Sequence, residues 1–161
     1  MLVAIDPGMS KSTPGGIAWF QGNDKIDCCK MPSTPMDIFQ QLDRLSFAPN
    51  KSLLCIMEKV GFYRPGNSAT SAVKFARHCG HLDMALLALH YQIEMVAPSK
   101  WMRGFLGTVP KDKRERKNAI KIKCQQRLPY LGRKITLATS DALGILLWQM
   151  EHRNKGTQEH A

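Results

Sequence analysis

Each of the stretches MLVAIDPG (residues 1–8) and LLCIMEKV (residues 53–60) places a carboxylate directly after an apolar run. Uninterrupted apolar runs of this kind are typical of strands that are buried on both faces of a sheet. A charge at the end of such a strand is costly unless another group compensates it. Asp6 and Glu58 on neighbouring strands would repel each other, and a bound divalent cation is the simplest remedy.

A third acidic residue, Asp141, opens the apolar, helix-like stretch TSDALGILLW (residues 139–148). Two of the acids have ordinary structural explanations, because Asp6 could cap the turn that follows it and Asp141 could be a helix N-cap. Glu58 has no such local role, since it follows five apolar residues. In a chain with a formal net charge of +10, three such acids indicate metal-dependent chemistry on a polyanion.

The positive charge is concentrated in one segment. Residues 100–134 contain 12 basic and two acidic residues, and the rest of the chain is balanced. A solvated helix face usually mixes both signs, whereas a field of one sign attracts the phosphate backbone of nucleic acids. Lys113, Lys117 and Lys121 recur every four residues, so they share one helix face and are expected to contact phosphates. The segment lacks the wide apolar face that would suit a membrane surface.

The composition is that of one globular domain. With 161 residues, 43% of them hydrophobic, we expect a single domain over residues 1–153 and a polar tail over residues 154–161. No apolar run approaches a membrane span, and the first residues lack the layout of a signal peptide. The five cysteines are an odd number without metal-ligand spacing, which indicates reduced thiols in an intracellular protein.

Hydrophobic periodicity and turn residues predict an α/β fold, in which a mixed sheet is covered by helices. The predicted strands are residues 1–6, 17–20, 25–31, 53–57 and 92–98; the first three form an antiparallel meander and the fourth is parallel to the first. The predicted helices are residues 36–45, 68–90, 99–106, 114–128 and 141–152. Residues 7–16 and 129–138 are predicted to be loops.

This layout resembles the ribonuclease H-like fold, with a mixed five-stranded sheet flanked by helices, and four motifs narrow the resemblance to Holliday-junction resolvases of the RuvC family. The motifs are Asp6-Pro7-Gly8, Gly15-Gly16-Ile17-Ala18 on the next strand, Glu58, and Asp141-Ala142-Leu143 at the start of the last helix. They span nearly the whole chain. The stretch PSKW (residues 98–101), followed by a lysine-rich helix and SDALG, is similar to the shorter phage-type members.

The resemblance implies a metal-dependent, structure-selective endonuclease that hydrolyses phosphodiester bonds in four-way DNA junctions. Asp6, Glu58 and Asp141 would be the catalytic residues and the metal ligands. Two Mg²⁺ ions, or Mn²⁺ in their place, would activate a water molecule and stabilise the leaving oxygen. The products would carry a 5′-phosphate and a 3′-hydroxyl.

Two loops are expected to contact DNA as well. Ser10 and Lys11 follow the first acid, where they could reach the backbone beside the scissile phosphate; a polar, solvent-exposed turn is the alternative. The family places an aromatic residue shortly after its glutamate, and here Phe62 and Tyr63 come slightly later than usual. They would stack on opened bases or pack against the following helix, and Arg64 beside them would contact a phosphate.

One position departs from the family's pattern. A fourth acid or a histidine usually stands one helical turn before the last aspartate, and this chain has Ala138 there. The alternatives are that three carboxylates suffice, that the register differs, or that the chain is a catalytically impaired protein that binds DNA junctions. An actin-like ATPase is a further alternative, but the chain is too short for that two-lobed fold.

The partner and the location follow from the same resemblance. A four-way junction has approximate two-fold symmetry, so an enzyme that cuts two opposed strands is most simply a homodimer. The long helix that contains Gly80 is the candidate interface, and Leu86 and Leu89 are the residues whose change to a charged residue is expected to give monomers. We expect a cytoplasmic protein of a bacterium or a phage, with an organelle as the alternative.

Overall fold

The computed structural model describes residues 1–10, 13–22, 25–47, 52–61 and 68–158. These residues form one five-stranded sheet in the order β3-β2-β1-β4-β5. The strands are β1 (Leu2–Ser10), β2 (Thr13–Phe20), β3 (Ile26–Lys30), β4 (Leu54–Glu58) and β5 (Gln92–Val96). The first three are antiparallel, whereas β4 is parallel to both β1 and β5, so the predicted mixed sheet is confirmed.

Helices cover both faces of the sheet. They are α1 (Pro35–Ser46), α2 (Ala69–Ala88), α3 (Pro98–Leu106), α4 (Lys113–Arg127), a 3₁₀ helix (Pro129–Lys134) and α5 (Ser140–Gln158). None of the helices among the described residues combines the length and the apolar character needed to span a bilayer.

The core is divided by the sheet into two clusters of buried apolar residues. Alternate residues of each strand point to opposite faces, so Ala4 and Ile56 pack beneath α3, α4 and α5, while Ile5 and Met57 pack against α1 and α2. All five residues of β4 are buried, which explains its continuous apolar sequence. The result is a three-layer α/β/α arrangement with β1 and β4 at its centre.

The predicted loop over residues 7–16 is wrong in large part. β1 and β2 continue through it, with Gly8 opposite Pro14 and a register irregularity between Gly8 and Ser10. Gly8 has φ +72°, a conformation that glycine adopts without a steric cost. Glycine and proline therefore shape an extended hairpin here, although in the sequence they predict a loop.

Three further predictions are corrected by the structure. Residues 129–134 form a 3₁₀ helix within the predicted loop. The last helix runs to Gln158, so the polar residues 154–158 continue it. Leu86 is completely buried and is therefore not available to a partner chain, whereas Leu89 is only partly buried beside the same core.

Candidate active site

The sheet register places two of the predicted acids side by side. Ile5 of β1 is the partner of Met57 on the parallel strand β4. Asp6 and Glu58 are the next residues on their strands, so both carboxylates stand at the same end of the sheet. Both are buried, with 5% and 7% of their surface exposed.

A glycine in β2 brings the third acid to the same end. Gly16 is the β2 partner of Asp6, and a Cβ atom at Gly16 would lie 2.6 Å from the Ala138 carbonyl oxygen and 3.0 Å from Thr139 Cα. The start of α5 therefore approaches the sheet more closely than any side chain at residue 16 would allow. This contact holds Asp141, in the first turn of α5, near Asp6.

Each carboxylate has a different hydrogen-bond donor. The Gly8 N–H donates to Asp6 Oδ1 at 2.9 Å, which is the turn-capping role considered for this residue. The Trp101 indole N–H donates to Glu58 Oε1 at 3.0 Å. Lys117 Nζ donates to Asp141 Oδ2 at 2.7 Å, so a residue of another helix binds this carboxylate, and the simple N-cap explanation for it fails.

The three acids line one cleft of about 340 Å³ at the end of the sheet. Its other walls come from β1, α3 and α4, and include Gly8, Ser99, Met102, Lys113, Arg116 and Lys117. The acids come from β1, β4 and α5, and the basic residues come from α4. The cleft therefore combines a carboxylate floor with a cationic rim.

Electrostatic repulsion inside the cleft is strong. Burial raises the pKa of Asp6, and the nearby Asp141 raises it further. Burial also raises the pKa of Glu58, and the neighbouring Asp6 adds to that shift. Burial alone would lower the pKa of Lys117, but attraction to Asp141, Asp6 and Glu58 outweighs it and raises that pKa. The site thus stabilises positive charge and opposes negative charge.

The donor set suits a hard divalent cation, because it offers carboxylate oxygens and no thiolate or imidazole. Asp141 Oδ1 is buried and has no hydrogen-bond partner among the described residues. In this conformation, however, no three His, Cys, Asp or Glu side chains of the described residues are grouped closely enough to hold an ion. Lys117 Nζ is paired with the Asp141 carboxylate instead, and a divalent ion would have to displace it to reach Asp141 Oδ2.

The predicted DNA contacts are only partly within the described structure. Lys113 and Lys117 line the acidic cleft, whereas Lys121 lines a separate groove with Gln125 and Arg133. The three lysines therefore do not all line the same cleft. The predictions for Lys11, Phe62, Tyr63 and Arg64 lie outside the described residues, as does the side chain of Ser10.

Two features of the site were not predicted from the sequence. Trp101 is completely buried and orients Glu58, a contact that nothing in the stretch PSKW (residues 98–101) indicates. Lys117 was predicted to contact phosphate, and its ion pair with Asp141 was missed. Residue 138 remains without an acid: the Ala138 N–H donates to Thr136 Oγ1, and its carbonyl faces Gly16.

Comparison with solved structures supports the fold. A Thermus thermophilus RuvC structure matches 96% of this chain and 97% of its own, with 16% sequence identity and a TM-score of 0.52. T. thermophilus RuvC in complex with a Holliday junction substrate matches 97% of this chain and 96% of its own, with 18% identity and a TM-score of 0.56. The sequence matches no protein-family model and no curated protein. The predicted ribonuclease H-like, RuvC-like fold is confirmed.

Proposed function

We propose that this chain is a metal-dependent endonuclease that resolves four-way DNA junctions. The observation that carries the proposal is the cleft in which Asp6, Glu58 and Asp141 converge from three elements beneath a basic rim. The likeness to a RuvC structure solved with a Holliday junction substrate supports the same substrate class. The net charge of +10 suits a polyanionic substrate.

The residues of the chain divide the work of hydrolysis. Asp6, Glu58 and Asp141 would hold divalent metal, which supplies an activated water and charge stabilisation for the leaving oxygen when it is bound. The Trp101 and Gly8 donors fix the orientation of Glu58 and Asp6. Lys113, on the rim, would hold the phosphate of the strand to be cut. When the metal binds, Lys117 would leave Asp141 and become available to the same phosphate.

The proposed function is tested with a synthetic four-way junction and a linear duplex of the same sequence. We expect cuts in the junction that require Mg²⁺ or Mn²⁺, little cutting of the duplex, and loss of cutting in Asp6→Asn. Junction binding should persist in Asp6→Asn because the basic rim is intact. Cutting that persists in excess EDTA, or equal cutting of both substrates, would contradict the proposal.

A second candidate function is a junction-binding protein that does not cut. Ala138 at the usual position of a fourth acid favours it, as does the Lys117–Asp141 ion pair that covers one carboxylate. Ala138→Asp separates the candidates. If the natural chain binds the junction without cutting in Mg²⁺ and the variant cuts, the second candidate is correct.

The proposed active form is a homodimer, in agreement with the two-fold symmetry of the substrate. One face of α2 carries large apolar residues in the solvent: Val73, Met84 and Leu87 are 67%, 65% and 58% exposed. With Arg77 and Gly80 they repeat at intervals of four and three residues, the spacing of a helix–helix seam. A Cβ atom at Gly80 would meet nothing within 4 Å in this chain, which leaves room for a second helix.

A cytoplasmic location is part of the proposal. All five cysteines are free thiols, and Cys28, Cys55, Cys79 and Cys124 are buried. Free thiols persist in reducing compartments.

A further inference from the structure

A second groove, of about 530 Å³, lies between α3 and the C-terminal half of α5. Ser99 lines both this groove and the acidic cleft, so the two meet at the first turn of α3. The side chains that give the groove its chemistry are Lys100, Arg103, Trp148, Glu151 and His152. We call it the α3–α5 groove.

The charge of the α3–α5 groove is positive. Lys100 and Arg103 are exposed and stand three residues apart, so they share one face of α3. The acidic residue of the groove, Glu151, is in an ion pair with the Arg127 guanidinium. Its charge is therefore already compensated, and the two cations of α3 remain to attract an anion.

Trp148 forms the wall behind these cations. Lys100 Nζ lies 5.9 Å from the Trp148 ring centroid, and the His152 ring stacks on the indole with centroids 5.4 Å apart. A Cβ atom at Gly104 would lie 2.3 Å from Trp148 Nε1, so glycine at this position admits the indole. Trp148 is only 7% exposed. It therefore supports the basic residues and leaves no open face on which a base could stack.

We propose that the α3–α5 groove binds the sugar–phosphate backbone of the DNA strand that leaves the acidic cleft. Lys100 and Arg103 contact two successive phosphates, and the groove contributes affinity without reading sequence. Lys100 and Arg103 are separated by a rise of about 4.5 Å along α3, which is comparable with one step of a DNA strand, about 3.4 Å along the duplex axis. The proposal rests on the proposed function, because it takes the strand in the groove to be the one that is cut in the adjoining acidic cleft.

The test compares two double variants in junction binding. Lys100→Ala/Arg103→Ala removes the cations of the groove. Lys25→Ala/Arg44→Ala removes the same charge from exposed positions at the opposite end of the sheet. Affinity for a four-way junction is measured over a range of NaCl concentrations, with Ca²⁺ in place of Mg²⁺ to prevent cutting. Ethylation interference on the same junction identifies the phosphates that matter, and thermal unfolding shows that both variants are folded.

We expect the groove variant to bind on the order of tenfold more weakly at low salt, with a salt slope that is lower by about two. Interference should disappear at two phosphates next to the cut, whereas the control variant keeps the natural slope and pattern. Equal slopes and patterns in the two variants would overturn the groove proposal, and an acidic protein partner would then be the occupant to test. If the natural chain itself neither binds nor cuts junctions, the proposed function fails, and the groove proposal fails with it.

Discussion

The carboxyl groups of Asp6 and Glu58 oppose folding whenever both are ionised. Burial and the nearby Asp141 raise the pKa of Asp6 to about 6, and burial and the nearby Asp6 raise the pKa of Glu58 to about 7. Unfolded chains ionise these groups near pH 4. Between these values the folded state binds more protons than the unfolded state. The free energy of unfolding therefore falls as the pH rises from about 4 to about 7. A bound cation would reverse this loss.

The first prediction follows from that repulsion. Glu58→Gln should abolish cutting but raise the free energy of unfolding by about 1–2 kcal/mol at pH 8 in EDTA, because it removes a buried charge beside Asp6. The gain should vanish near pH 4, where both proteins are neutral at this position. Urea unfolding at several pH values measures it. The exposed Glu94→Gln is the matched control and should change little at any pH; a less stable Glu58→Gln protein at pH 8 would contradict the argument.

Lys117 is the second residue whose change separates stability from metal binding. Its ammonium is 2.7 Å from Asp141 Oδ2, and the side chain is 29% exposed. Lys117→Met should lower the free energy of unfolding in EDTA by about 1–3 kcal/mol, since it leaves buried carboxylates unpaired. Added Mn²⁺ should then raise the melting temperature more than it does in the natural chain, because the ion no longer competes with the ammonium.

Differential scanning fluorimetry with and without Mn²⁺ measures this competition. Lys121→Met, one turn further along α4, lines a different groove and serves as the control. An identical Mn²⁺ shift in the natural chain and in Lys117→Met would show that the ion pair does not compete with metal.

For individual residues, the sequence allowed the three acids to be predicted but not the side chains that bind them. Asp6 and Glu58 were recognisable because a carboxylate after an apolar run is unusual. The Trp101–Glu58 and Lys117–Asp141 contacts join residues 43 and 24 positions apart. Such contacts depend on how α3 and α4 cross the sheet, and no local pattern encodes that.

Among the elements, the hairpin of β1 and β2 and the start of α5 decide the geometry of the cleft. Hydrophobic periodicity predicts the strands and the long helices correctly, because their apolar faces are buried. The prediction was wrong over residues 7–16, where the glycines lie within the β1–β2 pair and allow the two strands to pack closely. It also failed over residues 129–134, since a short 3₁₀ helix has no periodic apolar face.

The contact between Gly16 of β2 and the start of α5 leads to a further prediction. A methyl group there would lie 2.6 Å from the Ala138 carbonyl oxygen, and backbone cannot yield as a flexible side chain does. Gly16→Ala should push the start of α5 from the sheet, lower the free energy of unfolding by about 1–3 kcal/mol, and reduce cutting by at least about tenfold because Asp141 moves away from Asp6.

Urea unfolding and junction cutting measure the two effects. Gln40→Ala, at an exposed position of α1 on the other face of the sheet, is the comparison and should change neither measurement. Natural activity in Gly16→Ala would show that the close approach does not position Asp141.

In the whole molecule, the basic segment and the apolar strip of α2 lie on opposite faces of the sheet. The segment 100–134, which carries the excess of basic residues, packs with α5 on one face of the sheet. α2, with its exposed apolar residues, packs on the other face. This separation was only half predictable: the charge run is visible in the sequence, but whether Leu86 or Leu87 faces the solvent depends on the rotation of α2. The structure buries Leu86 and exposes Leu87.

The exposed strip of α2 gives the last prediction. Met84→Glu/Leu87→Glu should convert a dimer to a monomer in sedimentation velocity, because four carboxylates would face one another across a two-fold axis. Both side chains are exposed in the single chain, so the fold should survive, as thermal unfolding can show. Ile122→Glu, at a 52% exposed position on α4, is the control and should leave the dimer intact. The monomer should still nick a junction with Mg²⁺ but lose paired cuts in opposed strands, since each pair of cuts needs two clefts. A double variant that stays dimeric would place the interface on another surface of the molecule.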